Sequence, residues 1–242
     1  MIRGSVCLPV FNSVKIAWLT LESLCHQHKP HDGWELIIFE EIQPNQLGKA
    51  FFMGYQDRLK AVGCEKITYL TAPEKIPLSI KWVKMSYEAA PTSEYYIMWP
   101  SDDYHHSYTL IDSEKAIKVC DYFILTQGYF YEFGSNKIIQ YSQPGRIGLQ
   151  TMARTSLVQK LPLEIRNKAV NGWFYYRLPP IKVLRDTSEH WKGSLYTTGY
   201  NNISIYRHSY FTDVRRPFYP TTERLENIVP GDICKRINEL SK

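Results

Sequence analysis

Apolar and polar residues alternate along the first hundred positions in blocks that predict strands and helices in turn. Four short segments are rich in apolar, β-branched and aromatic residues, as buried strands are: SVCLPVF (5–11), WELIIFEE (34–41), EKITYLT (65–71) and YYIMW (95–99). The stretches between them carry apolar residues at helical spacing: 14–28, 47–63 and 78–91. Such alternation predicts parallel βαβ units, and therefore an α/β fold with a mostly parallel central sheet covered by helices on both faces.

The second half has a less regular pattern. Residues 113–120 and 230–240 have helical character, and 146–162 reads as a strand that turns into a helix. Residues 122–133 and 136–142 are typical of antiparallel strands. The chain contains no internal repeat and no low-complexity linker. We therefore expect one compact domain in which the second half adds a smaller antiparallel portion.

Composition narrows the class of protein. With 242 residues, 44% of them hydrophobic and 22% charged, the chain reads as an ordinary globular protein. No apolar run approaches the roughly 18 residues that a membrane span needs, and the first residues resemble a strand more than a signal peptide. The cysteines are scattered and form no CxxC pair, which favours reduced thiols. The expected location is cytoplasmic or peripheral to a membrane.

The charge is uneven. Residues 1–139 carry a net charge of −3 and residues 140–242 a net charge of +8, within a total of +5. A basic second half suggests an anionic partner such as a phosphate, a nucleic acid or an acidic membrane surface. A generally basic protein surface explains the same numbers equally well.

Carboxylates follow two of the predicted strands. Glu40 and Glu41 end the second, and Ser101, Asp102 and Asp103 follow the fourth. Ligands of an open parallel sheet bind outside the carboxyl ends of its strands, where these side chains would converge. A carboxylate there can accept the ring N–H of a uracil or guanine base. An aspartate pair can hold a divalent cation that bridges the phosphates of a nucleotide.

The ordered segments VCLPVFNSVKIAWLTLESLCHQ, WELIIFEE and EYYIMWPSDD resemble family 2-type glycosyltransferases of the GT-A fold. Those proteins show a PVYN-like strand end, a TLESLLNQ-type helix, a WELIIVDDGS-like strand and a strand ending in a DxD-type motif. The likeness covers roughly residues 5–110. It implies a sugar-nucleotide-dependent transferase, usually with Mn²⁺ or Mg²⁺ as cofactor.

The resemblance assigns nucleotide-binding roles in the first half of the chain. Pro9, Val10 and Asn12 match the first loop that contacts the nucleotide. Glu40 and Glu41 stand where the family usually has two aspartates, one of which reads the base.

The same resemblance places the diphosphate and the metal. Lys84 falls near an arginine that helps hold the nucleotide, and Ser101 and Asp102 belong to the nucleotide-binding loop. Asp102 and Asp103 match the last two acids of a DSDD pattern and would bind the metal, although Pro100 replaces its first aspartate.

The second half departs from the family pattern. Asn171 and Gly172 occupy the place of the acid that serves as general base, so the resemblance leaves the base unassigned. Asp186 and Glu189 are the nearest downstream candidates for this catalytic role. His190 is a candidate base as well, or alternatively a further metal ligand beside the aspartate pair.

The resemblance thus implies that residues 1–110 bind the nucleotide sugar and residues 111–242 bind the acceptor. The expected reaction moves a sugar from a nucleotide-diphosphate sugar, with a UDP-sugar favoured, to an acceptor hydroxyl with inversion. The acceptor would be a glycan, a lipid-linked sugar or a hydroxylated nucleic-acid base.

Two alternatives stay open on the sequence. A catalytically inactive carbohydrate-binding protein of the same fold would explain Pro100 and the Asn171-Gly172 pair, and it would neither hydrolyse nor transfer a nucleotide sugar. A DNA-directed protein would explain the basic second half, and it would retain duplex DNA in a salt-dependent way.

Overall fold

The structure is a computed structural model that describes residues 1–10, 14–125, 127–133, 135–142, 150–164, 182–185, 189–198 and 218–241. Its strands are β1 (Ile2–Val10), β2 (Gly33–Glu41), β3 (Cys64–Ala72), β4 (Tyr95–Met98), β5 (Tyr122–Leu125), β6 (Gln127–Glu132), β7 (Lys137–Ser142), β8 (Gln150–Arg154), β9 (Val183–Arg185), β10 (Leu195–Thr198) and β11 (Phe218–Pro220). Its helices are α1 (Ala17–Cys25), α2 (Gly48–Met53), α3 (Gln56–Ala61), α4 (Leu78–Tyr87), α5 (Thr109–Ala116), α6 (Thr155–Val158), α7 (Leu225–Ile228) and α8 (Gly231–Leu240), with a 3₁₀ helix at Glu189–Gly193.

A seven-stranded sheet with the order β3-β2-β1-β4-β8-β5-β9 forms the centre. The four strands predicted from the first hundred residues are its parallel half, and β8 runs antiparallel to both of its neighbours. Helices cover both faces: Leu36 and Ile38 of β2 pack towards α1, α3 and α5, whereas Ile37 and Phe39 pack towards α4 and α6. The prediction of an α/β fold with a mostly parallel, doubly covered sheet is confirmed.

Two predicted elements are divided in the structure. Residues 47–63 form the separate helices α2 and α3, because the chain turns at Gly54, the C-cap of α2. Residues 122–133 form β5 and β6, which belong to two different sheets. An apolar run carries no information about which sheet receives each part, so the pattern alone reads it as one strand.

The smaller sheet has the order β10-β6-β7-β11. Its β6–β7 pair is antiparallel, as predicted. The β7–β11 pair is antiparallel as well, and β10 runs parallel to β6. The predicted C-terminal helix is α8, with Pro230 at its N-cap. It buries Ile233 and Ile237, and its Arg236 guanidinium lies 3.9 Å from the ring centroid of Trp18 on α1. No helix in the described ranges is long and apolar enough to cross a membrane.

His105 lies fully buried between the two parts of the core. Its ring meets Trp99 of the central core at a centroid distance of 4.4 Å and Tyr196 of the smaller sheet's core at 5.6 Å. Neither ring nitrogen has a hydrogen-bond partner among the described residues. Burial lowers the pKa of His105 well below its usual value of 6.5, so the ring is neutral in the folded protein.

We expect the substitution His105→Phe to flatten the acid side of the stability profile. The unfolded chain takes up a proton at His105 below about pH 6.5 and the folded chain does not, so the wild type loses stability as the pH falls. The wild type should lose about 1.5 kcal/mol more than the variant between about pH 6.5 and pH 5, measured by urea unfolding. Parallel profiles for the two proteins would contradict this.

Candidate functional site

The carboxyl ends of β1, β2 and β4 meet at one edge of the central sheet. Strand β1 lies between β2 and β4 and is parallel to both, with Val10 opposite Glu40 and Cys7 opposite Met98. The carboxyl ends of all three strands therefore face the same side. This is the edge at which open parallel sheets bind their ligands.

Helix α1 holds in place the loop that follows β4 (residues 99–105), which contains Asp102 and Asp103 and is called the aspartate loop. The Thr20 hydroxyl donates to the backbone carbonyls of Pro100 (2.8 Å) and Asp103 (2.9 Å), and it lies 3.2 Å from the Asp103 amide, which donates to it. Further along, the Ser23 hydroxyl accepts from the His105 amide at 2.8 Å, and the Gln27 side chain donates to the His106 carbonyl at 2.9 Å. The loop after β4 therefore runs down the side of α1.

Strand β10 contacts the same loop from the other side. Tyr104 and Leu195 exchange backbone hydrogen bonds of 2.8 and 2.7 Å in an antiparallel bridge. The Thr197 amide donates to the Asp103 carboxylate at 3.0 Å, and the Thr197 hydroxyl donates to the Asp102 carbonyl at 2.6 Å. Asp103 is thus fixed between α1 and β10.

The electrostatic environment of Asp103 is unfavourable to its charge. Burial raises the pKa of the Asp103 carboxyl well above its usual range, and the neighbouring charge of Asp102 raises it further. The bond from Thr197 opposes these two effects. Asp103 is only 8% exposed, whereas Asp102 is half-buried.

Both carboxylate oxygens of Glu40 accept hydrogen bonds from other residues of the protein. Its two carboxylate oxygens accept from the Leu47 amide at 2.7 Å, the Gly48 amide at 3.0 Å and the Tyr69 hydroxyl at 2.6 Å. Gly48 has a φ of +76°, which a residue with a side chain rarely adopts. Glu40 therefore anchors the chain between β2 and α2.

Glu41 uses one of its two carboxylate oxygens in an ion pair with Lys81. Its Oε1 accepts from the Lys81 ammonium at 2.5 Å and from the Ile76 amide at 3.2 Å, and both charged side chains are almost fully buried. Its Oε2 is also buried and has no hydrogen-bond partner among the described residues. Burial lowers the pKa of Lys81, and Glu41 opposes this shift. Lys81 is a buried cation at this edge, whereas the predicted Lys84 is exposed on α4.

His190 belongs to a different group of side chains from the one predicted. Two groups of three potential ligands in the described ranges have ligand atoms within 4.8 Å of one another: His106 with Asp112 and His190, and His31 with Asp32 and Glu114. Neither includes Asp102 or Asp103. The reason is the direction of β10, which places Thr197 beside Asp103 but Ser194, and the 3₁₀ helix before it, beside His106.

Some of the other predicted site residues lie on β1 or in the aspartate loop, and the rest lie outside the described residues. Pro9 and Val10 are buried on β1, opposite Phe39 and Glu40, and Ser101 is buried in the aspartate loop. Positions 12, 171, 172 and 186 lie outside the described residues, as does the side chain of Glu189.

Sequence reasoning missed the residues that position the loop. Thr20, Ser23 and Gln27 recur at intervals of three and four, so they share one face of α1 and the turn after it. Polar residues at helical spacing inside an otherwise apolar helix are the signal that could have identified them. Thr197 and Lys81 carried no comparable signal.

No protein-family model matches the sequence, and no curated protein sequence matches it. Solved structures do match. TarS 1–349 from S. aureus gives a TM-score of 0.61 at 14% identity, over 81% of this chain and 60% of that one. TarS 1–349 in complex with UDP-GlcNAc gives 0.60 at 15%, over 81% and 59%. The mannosyltransferase PcManGT from Pyrobaculum calidifontis, in complex with GDP-Man and Mn²⁺, gives 0.51 at 12%, over 78% and 59%.

The chain therefore spans about three fifths of the length of these structures. At such identities the likeness concerns the fold, and it agrees with the resemblance drawn from the β1, β2 and β4 segments. The chain has a GT-A-like fold.

Proposed function

We propose that the protein is a glycosyltransferase that takes a sugar from a nucleotide-diphosphate sugar, with Mn²⁺ or Mg²⁺ bound at Asp102 and Asp103. The observation that carries this proposal is the Asp103 carboxyl, buried beside a second carboxylate at the ligand-binding edge of the sheet. No lysine or arginine in the described ranges forms an ion pair with it. A buried anion without a cationic partner is costly, and a bound cation would offset that cost.

The aspartate pair fits a hard divalent cation. Carboxylate oxygens are the ligands that Mg²⁺ and Mn²⁺ prefer, and Asp103 is oriented by Thr20 and Thr197 without using a charged partner. A metal held there would neutralise charge that develops on the leaving diphosphate.

Glu41 is the residue we assign to the nucleotide base. Its Oε2 is buried and free among the described residues, whereas both oxygens of Glu40 are used to anchor the chain. A carboxylate at this position can accept the ring N–H of uracil or guanine through Oε2 while Oε1 pairs with Lys81. TarS was solved with UDP and UDP-GlcNAc, and PcManGT with GDP-Man, which supports a donor with such a base.

The proposed transfer needs a group that accepts the proton of the attacking hydroxyl. Asp186 and Glu189 keep the role that the sequence predicts for them, with inversion at the anomeric carbon as the expected course. The acceptor is proposed only as a hydroxyl compound. The basic half, which suggests an anionic partner, includes 165–181 and 199–217, both outside the described residues.

Nucleotide affinity should depend on a metal ion held by Asp103. Titration calorimetry of UDP, GDP, TDP and CDP, with and without Mn²⁺, should show metal-dependent binding of one nucleotide by the wild type. Asp103→Asn should weaken that binding by about 100-fold, because it removes a charged metal ligand. Asp57→Asn, which changes an exposed aspartate on α3, is the matched control and should bind as the wild type does.

Failure of all four nucleotides to bind folded wild-type protein would overturn the proposal. Equal nucleotide binding by the Asp103→Asn and Asp57→Asn variants would show that Asp103 does not bind the metal. Release of the nucleotide from the matching sugar donor would distinguish an enzyme from an inactive binding protein.

Substitution of Asp103 should change stability and nucleotide binding in opposite directions. Without added metal, Asp103→Asn should raise the melting temperature at pH 7, because the amide carries no charge to bury and can still accept the Thr197 bond. A gain of about 1 kcal/mol corresponds to about 2–4 °C for a domain of this size. The pKa of Asp103 is raised on folding, so the advantage of the variant should shrink as the pH falls towards 4. Differential scanning calorimetry at several pH values tests this, and a variant that melts lower at pH 7 would disprove it.

Substitutions of Glu40 and Glu41 should differ in their effects on nucleotide affinity and on melting temperature. Glu41→Gln should weaken nucleotide binding by about 10-fold or more, since a hydrogen bond to a charged group contributes about 1.5–3 kcal/mol. Glu40→Gln should lower the melting temperature, because one accepting oxygen becomes an NH₂ group that faces donors of the protein, and it should leave affinity unchanged. The reverse pattern would assign the base to Glu40. Both affinities are measured by calorimetry at a temperature where each variant is folded.

A further inference from the structure

Three side chains with metal-binding chemistry meet away from the aspartate pair. His106 follows the aspartate loop, Asp112 lies in the first turn of α5, and His190 lies in the 3₁₀ helix. One ligand atom from each lies within 4.8 Å of the other two. The cluster therefore joins three separate elements of the chain.

The backbone around His106 is held firmly. Its amide donates to the Ser194 hydroxyl at 3.2 Å, and its carbonyl accepts from Gln27 at 2.9 Å and from the Thr109 hydroxyl at 2.8 Å. A Cβ at Gly193 would lie 3.2 Å from the His106 Cβ, so the 3₁₀ helix packs closely against this residue. A binding site built here would need little reorganisation.

The orientation of His190 is also defined. Its Nδ1 lies 2.8 Å from the Asp112 carboxylate, and its ring stacks on Tyr108 at a centroid distance of 4.4 Å and an interplanar angle of 15°. A histidine that is restrained by stacking loses little side-chain entropy when it binds an ion.

The distance between the two imidazoles suits a shared ion. Zn–N bonds of about 2.0–2.1 Å with tetrahedral angles place the centroids of two ligating imidazoles about 5 Å apart. The centroids of His106 and His190 are 5.6 Å apart. A slight closure around an ion would bring the rings to the required separation.

We propose that His106, Asp112 and His190 bind one divalent transition-metal ion of the zinc class, with solvent completing its coordination. Two imidazoles and one carboxylate favour Zn²⁺ or Co²⁺, whereas the all-oxygen pair of Asp102 and Asp103 favours Mg²⁺ or Mn²⁺. The chain would then hold two metals of different chemistry at two places.

The expected role of the ion is structural. It would tie the 3₁₀ helix and the start of β10 to α5, and β10 is the strand whose Thr197 contacts Asp103. Metal bound at this site would therefore stabilise the wall of the aspartate site without contacting the nucleotide. The proposal does not depend on the transferase function.

The experiment uses the full chain freed of metal by chelation and dialysis. Co²⁺ is titrated first, because its visible d–d absorption reports four-coordinate binding, and Zn²⁺ is then titrated by calorimetry and in thermal melts. The variants are His190→Ala and Asp112→Asn, both at partly exposed positions, so that folding can be checked by circular dichroism before titration. His31→Ala, which removes an exposed histidine outside this group, is the matched control. Asp103→Asn tests the independence of the two sites.

The wild type should bind one Co²⁺ or Zn²⁺ and melt at a higher temperature with it. His190→Ala should weaken binding by at least about 100-fold and Asp112→Asn by about 10–100-fold, whereas His31→Ala and Asp103→Asn should bind as the wild type does. Absence of binding by the wild type would overturn the proposal. So would binding that survives in folded His190→Ala protein, or binding that disappears in Asp103→Asn and persists in His190→Ala.

Discussion

The hydrogen bonds between the polar face of α1 and the loop after β4 are the interaction on which the rest of the site depends. The Thr20 hydroxyl contacts the backbone of both Pro100 and Asp103. Ser23 and Gln27, further along the same helix face, contact the backbone of His105 and His106. These groups are buried, and an unsatisfied buried polar group costs about 1–3 kcal/mol. The loop therefore has one well-defined position, and it carries Asp103 into the ligand-binding edge with it.

Buried charge divides into two kinds at this edge. The charge of Glu40 is balanced by backbone amides and that of Glu41 by Lys81. The charge of Asp103 is buried beside the like charge of Asp102, and both effects raise the pKa of Asp103 against the one backbone hydrogen bond from Thr197. A residue that lowers stability but is held firmly by its neighbours is typical of a functional position.

Much of the fold was predictable because its elements are regular and local. β1 to β4 and the C-terminal helix α8 follow from periodicity and from Pro230, and the resemblance in the same segments indicated the GT-A-like fold. The division of 122–133 between two sheets was not predictable, since the same apolar pattern suits either sheet. In the candidate site, the resemblance indicates Lys84 for nucleotide binding, whereas the burial of Lys81 against Glu41 depends on tertiary contacts that the sequence does not show.

The sequence by itself determined which chemical groups stand at the carboxyl ends of β1, β2 and β4, because the strand bounds follow from the local apolar pattern and the parallel direction follows from the alternation of strands and helices. Only the tertiary structure decided which of those groups are already satisfied. In that structure Glu40 accepts hydrogen bonds from the chain between β2 and α2, and one oxygen of Glu41 has no partner in the part of the chain that is described. His190 lies beside His106 and Asp112. The physical reason is that hydrogen bonding and burial depend on contacts between residues far apart in the chain, such as Thr197 with Asp103, and no local pattern encodes them.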